Sequence, residues 1–160
     1  MTFLRTILVL ILTTSYVVAQ DTAGQFGSLA EDSKQPIEAQ ADKMEIDEAT
    51  RQIQMSGKVE IVQGLTKLTA AFVRIEYTED QSDIKTIYAS GSVNLESSGD
   101  VAKGDEAIYQ LSENMIYLKG NAMLMQADYT LNAENIELNT ETGSTVMTGR
   151  VSTTLIPRGN

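Results

Sequence analysis

The chain has 160 residues, enough for one domain, with a formal net charge of −10 and no cysteine, histidine or tryptophan. Its 12 basic residues are spread singly among 22 acidic ones, which argues against a nucleic acid partner, since phosphate binding needs clustered Lys and Arg. Without cysteine or histidine there is no disulfide framework, no thiol nucleophile and no imidazole base.

The first 19 residues carry the marks of a secretory signal. Arg5 supplies the positive charge, Ile7–Leu12 the apolar core, and Val17, Val18 and Ala19 the small residues before a cut at Gln20. The apolar run is short for a bilayer span and is followed by Thr13–Ser15. The competing interpretation is a retained membrane anchor. Gln20–Ser33 has Gly, Ser and Asp but no apolar period, and is expected to be a mobile lead-in.

From residue 34 onward the apolar period is two. Pro36 suits the first position of a strand. Met44 and Ile46 alternate with Glu45 and Asp47, and Ile53 and Met55 with Gln54 and Ser56. A change of face around Ala70–Phe72 predicts a bulge or a corner. Polar clusters at Asp47–Thr50, Glu79–Ser82, Ser112–Asn114 and Thr140–Gly143 mark turns, short enough that successive strands should be neighbours. One apolar face per strand predicts antiparallel strands that bury one side.

A phrase also recurs. An acidic-edged strand, a polar turn and a strand closing on glycine run with equal spacing from Ala41 to Gly57, from Gly104 to Gly120 and from Ala133 to Gly149. A longer copy runs from Ala70 to Gly91, with its insertion near Glu79–Asp83. A unit of roughly 30 residues that cannot bury its own apolar face points to stacked repeats. Two residues past each glycine the apolar face returns, at Val59, Val93, Ala122 and Val151. Each glycine therefore predicts a strand that bends but keeps its inside. Four such bends imply an all-β protein, a folded sheet with a crease whose two faces meet over a narrow apolar interior. The pairs at the start of each phrase, Ala41–Asp42, Ala70–Ala71, Gly104–Asp105 and Ala133–Glu134, are placed on the outer surface or edge, where their variation mainly weakens the repeat.

Parity assigns the inner lining to Ile37, Ala39, Ile46, Met55, Val59, Ile61, Val73, Ile75, Tyr77, Val93, Leu95, Tyr109, Leu111, Leu118, Leu124 and Leu138. Met44, Ile53, Leu68, Ile116 and Ile136 share that face. Such a lining forms either a closed dry core or a groove for aliphatic chains, to which methionine adapts well. Asp42, Glu45 and Asp47 are the nearest approach to a carboxylate cluster, yet parity puts Glu45 and Asp47 in solvent. No nucleophile elbow, Walker loop, zinc spacing or calcium loop occurs. The expectation is no enzyme, no catalytic residue, no metal and no cofactor.

Gln35–Ile37, the Ala41–Asp42 pair, Gly57–Gly64, Gly120–Gln126 and the closing Arg150–Pro157, taken in order, resemble the OstA-like domain family over about residues 34–157. Residues 158–160 are then a tail. The resemblance implies a twisted β-jellyroll of short antiparallel strands, open at both ends, in the periplasm. It implies a V-shaped groove that binds lipopolysaccharide by its acyl chains. Copies would self-associate head to tail, or join OstA domains of LptC-like and LptD-like partners, to bridge the inner and outer membranes. Edge pairing would fall to Ile37, Glu38 and Ala39 at one end, and to Val151, Ser152, Thr153, Thr154 and Leu155 at the other. Lys34, Arg74 and Lys85 are the cations considered for contact with the headgroup. The alternatives are an anchored LptC-like lipid-transfer component and a structural or adhesive β-solenoid that binds no lipid.

Overall fold

A computed structural model describes Phe26 and residues 29–32, 35–126 and 129–155. Within them, period-two alternation produces one open sheet of ten antiparallel strands. These are β1 (Ile37–Gln40), β2 (Lys43–Asp47), β3 (Gln52–Gln63), β4 (Thr66–Tyr77), β5 (Ile84–Ser97), β6 (Asp100–Gln110), β7 (Met115–Gln126), β8 (Tyr129–Asn139), β9 (Thr145–Thr148) and β10 (Ser152–Leu155). A helical turn, α1 (Leu29–Asp32), precedes them, and a 3-10 turn at Leu111–Glu113 joins β6 to β7.

The turns form where polar clusters stand. The Asp47 carboxylate accepts the N–H groups of Ala49 (2.9 Å) and Thr50 (3.1 Å), and Asn139 Oδ1 accepts those of Glu141 (3.0 Å) and Thr142 (2.8 Å). Strands β3 to β8 are therefore successive neighbours, as the short connections predict. The ends of the sheet differ from that rule. β1 and β2 do not pair with each other; they share β3, β1 along Glu60–Gln63 and β2 along Gln52–Ser56. β9 and β10 share β8 in the same way. Each edge is one long strand broken in the middle.

The break is a crease that runs across the sheet. The ladder shifts register at Ser56/Val59, Thr69/Phe72, Ser90/Val93, Lys103/Glu106 and Lys119/Ala122. Gly57 has φ +77° and the next residue, Lys58, +48°; the same pair of left-handed residues recurs at Gly91–Ser92, Gly120–Asn121 and Gly149–Arg150. Two such residues turn the chain without changing the parity of the flanks. Met55 and Val59 are each 1% exposed, so the inner face does continue across the bend. The strands are thus longer than the expected short ones: β3 to β8 run 11 to 14 residues and bend.

The pairs at the start of each phrase divide. Ala70, Gly104 and Ala133 are buried on the inner face, against the outer placement, because they pair with Val59, Val93 and Ala122, while Asp42, Ala71, Asp105 and Glu134 lie outside and have a definite role. All four are exposed, and each lies over a glycine: Gly57 in β3, Gly91 in β5, Gly120 in β7 and Gly149 between β9 and β10. A Cβ on Gly57 would stand 2.5 Å from Asp42 Oδ2, one on Gly91 2.6 Å from the Ala71 methyl, and one on Gly149 2.5 Å from Glu134 Oε2. The Asp42 N–H donates to Gly57 O (2.8 Å) and the Glu134 N–H to Gly149 O (2.9 Å). Asn121 Nδ2 donates to Asp105 (2.9 Å) and Arg150 Nε to Glu134 (3.1 Å).

Small residues line the floor of the crease on its inner side, where Val59 pairs Ala70, Val93 pairs Gly104 and Ala122 pairs Ala133. Their size lets the two arms approach closely. Two buried clusters result. One joins Met55, Val59, Ile61, Ala70, Val73, Ile75, Ala89 and Val93 from β3–β5. The other joins Ala102, Ile116, Leu118, Ala122, Leu124, Ala133, Ile136 and Leu138 from β6–β8, with Phe26. Phe26 is 1% exposed and α1 packs beside it through Leu29. For these residues the structure differs from a mobile lead-in. Residues 1–19, read as a signal, lie outside the described part.

Candidate functional site: an apolar trough

Side chains paired across strands point to one face. Two rows of them run along one arm of the sheet. Ile46, Ile53, Ile75, Ile87, Tyr109, Ile116 and Leu138 form the outer row. Met44, Met55, Val73, Ala89, Ala107, Leu118, Ile136 and Met147 form the row nearer the crease. On the other arm Ala39, Ile61, Leu68, Leu95, Ala102, Leu124 and Leu131 make a matching row. The arms face each other across the crease, so the rows bound a trough that crosses the sheet.

Of the residues assigned to the lining, Met55, Val59, Ile61, Val73, Ile75, Val93, Leu118, Leu124 and Leu138 are buried. Tyr77, Leu95, Tyr109 and Leu111 are half-buried. Ile37 (45% exposed), Ala39 and Ile46 (67%) are exposed, because an edge strand has a neighbour on one side only. A cavity of about 740 Å³ opens between the arms near β3–β6. It brings together Ile37, Ile61, Ile75, Tyr77, Tyr109 and Leu111 of the expected set. Ile46 instead borders a smaller recess of about 150 Å³ with Ile53 and Tyr77. Leu111 lies in the 3-10 turn, outside the strands, and still reaches the cavity.

Leu29, Ile84 and Ile87 also line the cavity and were missed. The signal for the isoleucines was the triad spacing Ile84, Ile87, Ala89, which breaks strict alternation. It follows from a register shift between Glu76 and Tyr77.

The cations divide. Lys85 lines the cavity. Arg74 points away from it, with its guanidinium 5.3 Å from the Tyr88 ring centre and Nε 3.2 Å from Glu76. Lys34 lies outside the described residues. At the far margin of the other arm the inner face turns polar: Thr66 and Ser97 hydroxyls are 2.8 Å apart, and Gln126 Nε2 donates to Asp100 at 2.8 Å. The Tyr129 hydroxyl donates to Gln126, and burial, then the nearby Asp100 carboxylate, hold its pKa above the ordinary value. Among the described residues no group of three or more His, Cys, Asp or Glu could hold a metal ion, and no helix is long and apolar enough to cross a membrane.

Both ends of the trough are sheet edges. Ile37, Met44 and Ile46 stand exposed on β1 and β2, and Val151 and Leu155 beside and on β10, while the exposed Val146 of β9, paired with Glu137, faces outward. The edge expected at Ile37, Glu38 and Ala39 thus extends into β2. The one expected at Val151, Ser152, Thr153, Thr154 and Leu155 extends into β9.

The family described as LptA/(LptD N-terminal domain) LPS transport protein matches residues 17–144. The chain belongs to this family. An uncharacterized protein of Rhizobium meliloti (strain 1021) is 31% identical over 118 residues, which cover 69% of this chain. The match spans 63% of that protein, so the chain accounts for less than two thirds of this relative. Among solved structures, LptH of Pseudomonas aeruginosa is described as the LptA homologous periplasmic component of the conserved lipopolysaccharide transport device. It superposes with a TM-score of 0.72 at 23% identity, covering 79% of this chain and 99% of LptH. The likeness is one of fold, and it agrees with the all-β, open, V-shaped architecture.

Proposed function

We propose that this protein is an LptA-type periplasmic carrier that shields the acyl chains of lipopolysaccharide in its trough. Joined end to end with its own copies and with OstA-like domains of LptC-like and LptD-like partners, it bridges the inner and outer membranes. Residues 34–157 form the carrier domain, and residues 1–19 are a signal removed after Ala19. The observation that carries the proposal is the continuity of the inner rows from one sheet edge to the other, with large apolar side chains left exposed at both edges. Each methylene withdrawn from water contributes about 0.8 kcal/mol, so four of them supply about 3 kcal/mol. The headgroup remains in water, because a chain of net charge −10 does not attract an anion. Among the described residues that line the cavity, Lys85 is the cation. A weak hold on the headgroup suits a carrier that must also release.

The crease supplies a register for end-to-end joining. In β3–β4, β5–β6 and β7–β8 the residue before each glycine pairs with the residue after the opening residue of the following phrase, Ala71, Asp105 or Glu134: Ser56 with Phe72, Ser90 with Glu106, Lys119 with Asn135. Applied to Gly149 and to Asp42 of a second copy, this rule pairs Thr148 with Lys43 and Val151 with Ala41. Met147 then meets Met44, and Leu155 meets Ile37, on the inner face. The trough continues into the next copy, and the joint is a heterologous contact that does not close.

A photo-crosslinker at Ile37, Tyr109 or Leu111 tests the proposal. Lipopolysaccharide is expected to be captured there and not at Lys58 or Glu60 on the outside. Capture confined to the outer positions would refute it.

A further inference from the structure

A large side chain enters the trough interior from outside the sheet. Phe26 is 1% exposed, in a cluster whose members come from both arms: Ala102 and Leu124 on one, Leu118 and Leu138 on the other. An aromatic ring buried between the arms stands where the inner rows would otherwise face each other. Leu29, three residues later, packs against the same cluster and also lines the open cavity. The segment therefore fills the trough at β6–β8 and borders the part that stays open near β3–β6.

Its fastening differs in kind from its packing. The Asp32 carboxylate, 7% exposed, accepts the Leu65 N–H (3.0 Å) and the Thr66 hydroxyl (2.8 Å) at the β3–β4 turn. Gly64 in that turn has φ +58°, and a Cβ there would overlap the carboxylate. The Asp32 carbonyl accepts the Gln35 N–H (2.8 Å), and the Gln35 carbonyl accepts Gln63 Nε2 (3.0 Å). Beyond these contacts Pro36 leads into β1. A ring held between two apolar walls and a carboxylate latched to a turn together describe a stopper.

We infer that Phe26, Leu29 and Asp32 form a displaceable plug: Phe26 occupies an acyl subsite at β6–β8 in the free chain, and Asp32 latches it shut. This rests on the carrier function proposed above. An acyl chain that enters the cavity meets Leu29 and then Phe26, and it advances by taking the place of the ring. About three or four buried methylenes match one buried phenylalanine, so the exchange is close to balanced and reversible. Because lipid binds only the unplugged state in that region, its apparent affinity falls by the fraction of chains unplugged. The plug keeps the β6–β8 arms dry when no lipid is present, and it makes loading depend on how firmly Asp32 is held.

The chain has no tryptophan, so Phe26→Trp introduces a single indole that reports its own surroundings. The probe is lauroyl lysophosphatidylcholine below its micellar concentration, with binding measured independently by calorimetry. The expected result is emission typical of a buried indole that shifts red as the lipid binds, and an affinity about tenfold tighter in Asp32→Asn. That factor is the scale of one lost charge-assisted hydrogen bond. Binding with unchanged emission, and equal affinity in Asp32→Asn, overturns the plug and makes Phe26 a permanent part of the core, while the carrier function stands. Absence of binding in the wild type and in Asp32→Asn removes the carrier function and the plug with it. If Phe26→Trp alters the far-UV circular dichroism, Leu29→Trp at its half-buried position gives the same readout.

Discussion

The crease makes its sharpest prediction at Gly91. An alanine there must adopt φ near +81°, and its methyl would stand 2.6 Å from the Ala71 methyl, with Ala71 Cα and N at 3.6 Å. At Gly57 and Gly149 the opposing atoms belong to Asp42 and Glu134. Their Cβ atoms would stand 2.8 and 2.6 Å away as well, and a Cβ is as fixed by its backbone as the Ala71 methyl is, so the backbone has to move at each. Gly91 alone of the three is opposed by a bare methyl, which a single substitution removes. The left-handed conformation costs about 1–2 kcal/mol, and overpacking of this kind about 1–3 kcal/mol more. Gly99 supplies the control: its φ is +95° and no heavy atom would lie within 4 Å of an added Cβ. Gly99→Ala should show the conformational cost alone. Urea unfolding followed by circular dichroism is expected to place Gly91→Ala about 1–3 kcal/mol below Gly99→Ala. Adding Ala71→Gly to Gly91→Ala should recover most of that gap, because it removes the opposing methyl. The reasoning fails if the two single variants are equally stable, or if the double variant recovers nothing.

Two further predictions concern the ends and the turns. The chain has no cysteine, so Met44→Cys with Met147→Cys should form disulfides between copies in oxidising buffer and lengthen the assembly. Met44→Cys with Met125→Cys, which is exposed on the outer face, should not, and equal crosslinking by both pairs would contradict the register. The Asp47 carboxyl is held below the ordinary aspartate value of 3.8, first by the Thr50 N–H and then by the Thr50 hydroxyl. A depressed folded pKa means a contribution present above that value and lost as the pH falls through the lower one. Asp47→Ala should therefore be less stable than wild type at neutral pH, with the difference in urea midpoint vanishing in strong acid. A difference that persists unchanged there would show that the carboxylate is not its source.

The inner lining was largely legible because strand parity is local. Met55, Val73 and Leu118 point inward by alternation alone, and all three are buried. The crease was legible because glycine is the residue that accepts a left-handed bend in a strand. Arg74 was less so. Its parity is outward, but its place over Tyr88 depends on the neighbouring strand. Ile84 and Ile87 escaped because a register shift beside Tyr77 breaks the period that parity needs. Ile46 has inward parity and is still 67% exposed, since burial also requires a neighbour on the other side.

The acid and alanine residues that open each phrase mark the boundary between the two kinds of information. Their recurrence was visible, but their purpose was not. Asp42 lies in the break between β1 and β2 and Gly57 within β3, and only the pairing of those edge strands with β3 brings them together. Phe26 is the stronger case, with no apolar period around it and no partner nearby in the chain.

By itself, then, the sequence determined the strands, their inner faces and the four bends, because side-chain parity and glycine's left-handed freedom act within a few residues. Only the tertiary structure decided that the bends align into one crease, that the acids and Ala71 close over it, and that Phe26 enters the trough. Those outcomes depend on which strand lies beside which and on how much apolar surface the assembled arms leave for a side chain from elsewhere in the chain to fill.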